Sequence, residues 1–481
     1  MSIRTSLAWT YGAHLLVFVV TFGSTIIISR LLTPHDLGIF GVGMAISGIL
    51  GTISLFGIAN YLIRDHELSA PTIATGFTVN ALLSLAMGSV LWFLGTVGHP
   101  LFPDLAIPRV LQWLALVPVI GIFEFIPATL FAREMRFGAT SLLQLGKATV
   151  NATTAIGFAY SGWSYLSPAI GAVMGAAFGA LGYGILGRRH VSLRLSLRGG
   201  RGIVTFAVQM ISAGGISILM ARMSELIVAN FLGLSALGLY TRASGLAAIV
   251  WEGAYGLSTR VIFVQMAAEL RERGSLVETF LRATKLLTAI MWPVMGGIAV
   301  LSGPIVRILY GPQWDGAALP LTILMVGQFI AIGFAMNWEL CVLTNRTAWQ
   351  ARVEAGRAIM GLVAFAAGAI FSLPAATIGR VVDALIGYVI YRPKMAEMAC
   401  CTLGEVRRAY SGSLILTAAS VGPAIVLMAL FGWSHSTSAG WLMVPVAIGA
   451  LLWTAVLYYT RHPLFDEVTL LVQLRRSDVE R

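Results

Sequence analysis

The sequence predicts an all-α integral membrane protein: about fourteen transmembrane helices, in two six-helix lobes plus two C-terminal helices. Three observations predict it. Of 481 residues, 57% are hydrophobic and 11% charged, whereas soluble domains carry about 25% charged residues. The mean hydropathy is +0.84, more apolar surface than a soluble fold of this length can cover with polar groups. Finally, apolar windows of about 20 residues, the length that crosses a bilayer core, follow one another almost end to end.

The expected spans are 7–29, 38–62, 73–97, 109–131, 139–160, 165–186, 203–231, 238–260, 280–302, 319–343, 351–371, 374–391, 411–431 and 441–459. They are read as helices because lipid offers the backbone no hydrogen-bond partner and the windows are too long for barrel strands. Arg4 precedes the first apolar stretch, Leu7 to Ser29, which has no clear small-residue cleavage site and reads as a membrane helix.

The net charge of +11 is explained by where the basic residues fall. With the N-terminus in the cytoplasm, the cytoplasmic segments hold 21 Lys and Arg, and the opposite side holds only Arg30, Arg109 and Arg307. That bias orients the chain, and an even number of spans returns the C-terminus to the cytoplasm. No nucleic-acid partner is implied. Cys341, Cys400 and Cys401 lack a metal-ligand spacing and read as free thiols at or near the cytoplasmic side.

The longest cytoplasmic connection, 187–202, is basic and glycine-rich, and reads as a linker between lobes 1–186 and 203–391, with two further helices in 411–459 and a tail over 460–481. An internal repeat supports the division. Arg30 to Phe40 aligns with Asn230 to Tyr240 at a spacing of 200 residues, with identities at Leu32/Leu232, Leu37/Leu237 and Gly38/Gly238. Further on, Phe56-Gly57-Ile58 matches Tyr255-Gly256-Leu257 after a one-residue gap. Parallel repeats with a substrate site at their interface are one established transporter plan.

Charge inside the membrane is costly and marks a partner or an aqueous cavity. The embedded cations are Lys147, Arg222, Arg242, Arg260, Arg282, Lys285, Arg357 and Arg380; the embedded acids are Glu124, Glu225, Glu252, Glu339, Glu354 and Asp383. Arg222/Glu225, Glu354/Arg357 and Arg380/Asp383 stand three apart, so each pair can neutralise itself. Arg282 and Lys285 are placed to snorkel, and Arg64 to anchor the cytoplasmic face. Lys147, Arg242 and Arg260 have no acid three or four positions away. Arg242 and Arg260 are 18 residues apart, about five turns, and share a helix face. The cationic candidates for an anionic ligand are therefore Arg242, Arg260, Lys147, Arg222, Arg357 and Arg64. Gly171, Gly175 and Gly179 form a small-xxx-small pattern that lets its helix pack closely. His14 and the aromatics Trp113 and Trp163 read as bundle and interface residues.

Four short runs carry a family resemblance: Arg30 to Gly38, Phe56 to Arg64, Arg133-Glu134-Met135-Arg136-Phe137, and Tyr310-Gly311-Pro312-Gln313-Trp314. In this order they resemble polysaccharide-export flippases of the multidrug/oligosaccharidyl-lipid/polysaccharide superfamily, of the colanic-acid exporter type. The resemblance implies two six-helix lobes around a cavity, alternating access in a bacterial inner membrane, and a polyprenyl-pyrophosphate-linked oligosaccharide as substrate. It also points to a polysaccharide polymerase as partner. Arg suits pyrophosphate because its fork grips two oxygens. Nothing in the sequence calls for a catalytic residue, cofactor or metal, and it has no G-x-x-x-x-G-K phosphate cradle. The alternatives are a drug/cation antiporter, which often carries a carboxylate in a first helix that here has none, and a membrane polymerase or ligase, which would need a larger external loop.

Overall fold

The computed structural model describes residues 3–55, 57–64, 69–98, 100, 102, 104–188, 194–197 and 200–465. Part of the proposed linker and the tail beyond 465 lie outside them. Sixteen α-helices run through the described residues: α1 (Ile3–Leu31), α2 (Pro34–Leu55), α3 (Ile58–Arg64), α4 (Ala70–Val97), α5 (Ala106–Arg133), α6 (Phe137–Tyr160), α7 (Ser167–Leu186), α8 (Gly200–Leu232), α9 (Leu234–Arg273), α10 (Val277–Tyr310), α11 (Ala318–Ile332), α12 (Asn337–Leu343), α13 (Thr347–Ala369), α14 (Leu373–Met398), α15 (Leu403–Leu430) and α16 (Ala439–Tyr459).

Each of the fourteen expected windows falls on one helix or on a broken pair. Ten spans among the described residues are long and apolar enough to cross a membrane. The chain is a multi-pass membrane protein. α6 and α13, described throughout, fall short of that standard, and each carries an ion-paired charge, Lys147 and Arg357 respectively.

Two windows read as single helices are broken. Gly57, at φ +112°, separates α2 from α3. A positive φ costs glycine little because it has no Cβ. The matched Gly256 lies within the unbroken α9, so the repeat does not reproduce this break. Window 319–343 is interrupted between α11 and α12, where the non-glycine Met336 adopts φ +68°. Local chemistry sets other starts. The Ser69 hydroxyl accepts from Thr72 N–H at α4, Ser372 accepts from Ala375 N–H at α14, and Thr402 and Glu405 form a reciprocal capping box at α15.

The contacts divide the chain into two compact units, Met1–Gly238 and Leu239–Arg481. In the first, α6 packs on α7, α4 on α5, α1 on α6, and α8 on α2. Its apolar core includes Ile58, Leu62, Phe77, Ile122 and Ile126. Gly171 and Gly175 meet Asn151 and the backbone of Lys147, so the small-residue stripe seats α7 on α6. In the second unit, α13 packs on α14, α10 on α15 and α11, and α15 on α16. α16 leaves Trp441, Met443 and Leu451 exposed, a surface suited to lipid.

Candidate functional site

The first unit contains a cavity of about 750 Å³, within the range of small-molecule sites. Most of its wall is apolar, including Met44, Leu114, Val117 and Phe125, with Ser47, Asn80, Ser84 and Thr129 as polar points. One ion pair lies on that wall. Lys147 Nζ on α6 donates to both carboxylate oxygens of Glu124 on α5, at 2.7 and 2.9 Å. Lys147 therefore has an acid after all, supplied by the adjacent helix. Gly179 makes room for the pair: a Cβ there would stand 2.6 Å from Glu124 Oε2.

Arg222 pairs with Glu225 on its own helix at 3.0 Å, as the three-residue spacing allows. Its side chain lies against Gly48, a residue of the cavity wall, where a Cβ would be 2.6 Å from Nε. Arg64 is exposed at the end of α3. Just before it, Arg133 Nη1 donates to the Leu62 carbonyl at 2.8 Å, tying together two of the runs quoted above.

In the second unit, Arg357 is held by two acids. Nη2 lies 2.5 Å from Glu354 and Nη1 2.8 Å from Asp383, while the Tyr391 hydroxyl donates to Glu354 at 3.1 Å. Arg380 stands over the Phe365 ring at 5.3 Å, so Asp383 is bonded by Arg357 from the neighbouring helix rather than by Arg380 alone.

Arg242 is different. Its guanidinium carbon lies 5.8 Å from the ring centroids of both Tyr310 and Trp314, within cation–π range. Both rings are buried. Its Nε is buried without a hydrogen-bond acceptor, and among the described residues no carboxylate stands within ion-pair distance. The Tyr-Gly-Pro-Gln-Trp run thus forms an aromatic box for Arg242, with Gly311 at φ +103° turning the chain between the two rings. The side chain of Arg260 lies outside the described residues, though α9 is continuous through both positions.

Arg392 stands one residue past the expected window 374–391 and so was not among the embedded cations. It lies in α14 and is buried, at 4% exposure. The three cysteines are unpaired, with Cys341 and Cys401 buried and Cys400 exposed.

A family model described as "Polysaccharide biosynthesis protein" matches residues 27–319. The chain belongs to that family. It is 23% identical over 330 residues to the lipopolysaccharide biosynthesis protein WzxC of Escherichia coli K12, covering 68% of this chain and 67% of that one. Over 352 residues it is 22% identical to the succinoglycan biosynthesis transport protein ExoT of Rhizobium meliloti 1021, with the same coverage of 68% and 67%. Its fold is that of lipid II flippase MurJ in an inward closed conformation, with a TM-score of 0.73 at 11% identity over 94% of this chain and 98% of that one. An inward-facing multidrug resistance MATE family transporter aligns with a TM-score of 0.58 at 13% identity, over 79% of this chain and 95% of that one.

Proposed function

We propose that this family member is a flippase. It moves a polyprenyl-pyrophosphate-linked oligosaccharide from the inner to the outer leaflet by alternating access, for polysaccharide export. Arg242 carries the reading. An embedded cation without a carboxylate is expensive in a membrane protein, and an anionic head group is the ligand that offsets the cost. Tyr310 and Trp314 hold the guanidinium and leave its fork for phosphate oxygens. The names of WzxC, ExoT and MurJ support the same class of cargo.

Arg260, Lys147, Arg222, Arg357 and Arg64 remain candidates of a second kind. Arg357, Lys147 and Arg222 are engaged by acids and would act by exchanging a carboxylate for the ligand. Both termini are placed in the cytoplasm, on the basic side, and a polysaccharide polymerase is the expected partner outside. No bond is made or broken in this scheme.

The test is transport in proteoliposomes, with purified protein, a labelled polyprenyl-pyrophosphate oligosaccharide, and leaflet accessibility followed in time. Protein-dependent movement of an unchanged lipid supports the flippase. Drug-for-cation exchange without lipid movement would establish the antiporter instead, and a lengthened or transferred glycan would establish an enzyme.

A further inference from the structure

Arg392 has no role in the scheme above, yet among the described residues it is a conspicuous polar anomaly. All three guanidinium nitrogens, Nε, Nη1 and Nη2, are buried with no hydrogen-bond acceptor. The group stands 5.5 Å from the Phe280 ring and 5.3 Å from the Tyr410 ring. Those rings supply cation–π attraction but accept none of its N–H bonds. A buried guanidinium without acceptors is strongly disfavoured unless something else uses it.

Its place in the unit indicates what that is. Arg392 is six residues before the end of α14 at Met398, about 9 Å along the axis. Phe280 is near the start of α10, and Tyr410 is in the second turn of α15. All three therefore stand near helix ends, at about the depth of lipid head groups rather than of the hydrocarbon centre. Exposed Arg407 and Arg408 belong to the same region of α15, and clustered basic residues attract anionic lipid. The acids there are occupied: Glu397 by Arg346 and Lys394, and Glu405 by the Thr402 cap. Burial pushes the pKa of the neighbouring Cys401 thiol up, keeping it neutral and unable to serve as counter-anion. Pro393 follows directly and removes one backbone N–H from α14, which makes this turn the easier one to bend.

We infer that Arg392 is the donor of a second anion site, one that takes the phosphate of a lipid head group when the Phe280 and Tyr410 rings move apart. The site is chemically a twin of the Arg242 box, a guanidinium facing two aromatic rings, in the same unit. The inference uses the flippase reading only to suggest that the cargo's own diphosphate is one source of the phosphate. An ordinary anionic phospholipid is the other.

The experiment is binding to the full-length protein in detergent, comparing wild type, Arg392→Gln and Arg109→Gln, an exposed control in the first unit. Three probes are used separately: a polyprenyl diphosphate, phosphatidylglycerol and inorganic phosphate. Charge-assisted hydrogen bonds are worth enough that Arg392→Gln should weaken lipid-phosphate binding about 10- to 100-fold, with Arg109→Gln near wild type. Loss confined to the polyprenyl diphosphate assigns the site to cargo, and loss of phosphatidylglycerol binding assigns it to a resident lipid. Loss for inorganic phosphate alone, or wild-type binding of all three probes, overturns the inference. Should Arg392→Gln not fold, a photoreactive benzophenone residue in place of Phe280 is used. A cross-linked phosphate-bearing lipid then supports the site, and its absence overturns it. Leaflet movement by wild type together with undiminished binding by Arg392→Gln would remove this site and leave the flippase standing. Absent movement with a lost Arg392 contact would do the reverse.

Discussion

Gly38 and Gly238, 200 residues apart in the sequence, do the same job in the structure. A Cβ on Gly38 would stand 1.8 Å from the carbonyl oxygen of Leu234, and a Cβ on Gly238 would stand 1.9 Å from the carbonyl oxygen of Pro34. Each repeat glycine thus lies against the opening residue of the other repeat's helix, all within the first unit. The obstructing atoms are backbone, which cannot rotate away. Gly38→Ala and Gly238→Ala are expected to destabilise the protein by about 1–3 kcal/mol each. Thermal unfolding in detergent checks this, with Gly245→Ala, where a Cβ would meet nothing within 4 Å, as the tolerated control.

Arg242 should trade stability for function. Replacing it by Met removes an unpaired charge from an aromatic box, so protein level and melting temperature should hold or rise. Leaflet movement and polysaccharide export should be lost. Arg242→Lys should restore little, because an ammonium lacks the planar fork that grips two phosphate oxygens. Normal export by both variants would take Arg242 out of the pathway.

The Lys147–Glu124 pair predicts a coupled result. Lys147→Met alone leaves Glu124 without its cation on the cavity wall. The expected cost is about 1–3 kcal/mol, below that of a fully buried pair, since the Lys147 side chain is 39% exposed. Adding Glu124→Gln should recover most of it. A double-mutant cycle on unfolding measures the coupling, and strictly additive losses would show that the pair contributes nothing.

Arg357 should behave as the keystone of its cluster. The side chains of Arg357 and Asp383 are 18% and 17% exposed, and Arg357→Ala leaves Glu354 and Asp383 facing each other. A loss of about 3–5 kcal/mol is expected, read as lower yield and melting temperature. Asp383→Asn, which leaves the Glu354 partner in place, should cost less.

Much of this molecule can be read along the chain because the signals are local. Each expected window lies on helix because twenty apolar residues in lipid have few other ways to satisfy their backbone. The i,i+3 pairs at Arg222/Glu225 and Glu354/Arg357 follow from helix geometry alone. The glycine stripe of α7 packs on α6 as small residues allow. The helix breaks were harder to read: Gly57 turns the chain and its repeat partner Gly256 does not, although each glycine follows an aromatic residue and precedes an aliphatic one.

Contacts across helices were not legible. Nothing in the spacing of Glu124 and Lys147, 23 residues apart, shows that α5 and α6 present them to each other. The Tyr-Gly-Pro-Gln-Trp run was visible, and so was Arg242, yet 68 positions separate Arg242 from Tyr310 and only packing joins them. Arg392 looked like one more loop charge, because the apolar window ends near it while the helix continues to Met398. Hydropathy reports where a segment prefers to be, and helix length depends on capping and packing as well.

Sequence by itself determined the solvent and the element type, because composition decides whether apolar surface can be hidden, and an apolar run of about twenty residues in lipid satisfies its backbone as a helix. Tertiary structure decided which charges are compensated. Lys147, Arg222 and Arg357 are neutralised, whereas Arg242 and Arg392 face aromatic rings and, among the described residues, meet no acid. The reason is that Coulomb energy depends on distances through space, and those are set only when the helices pack.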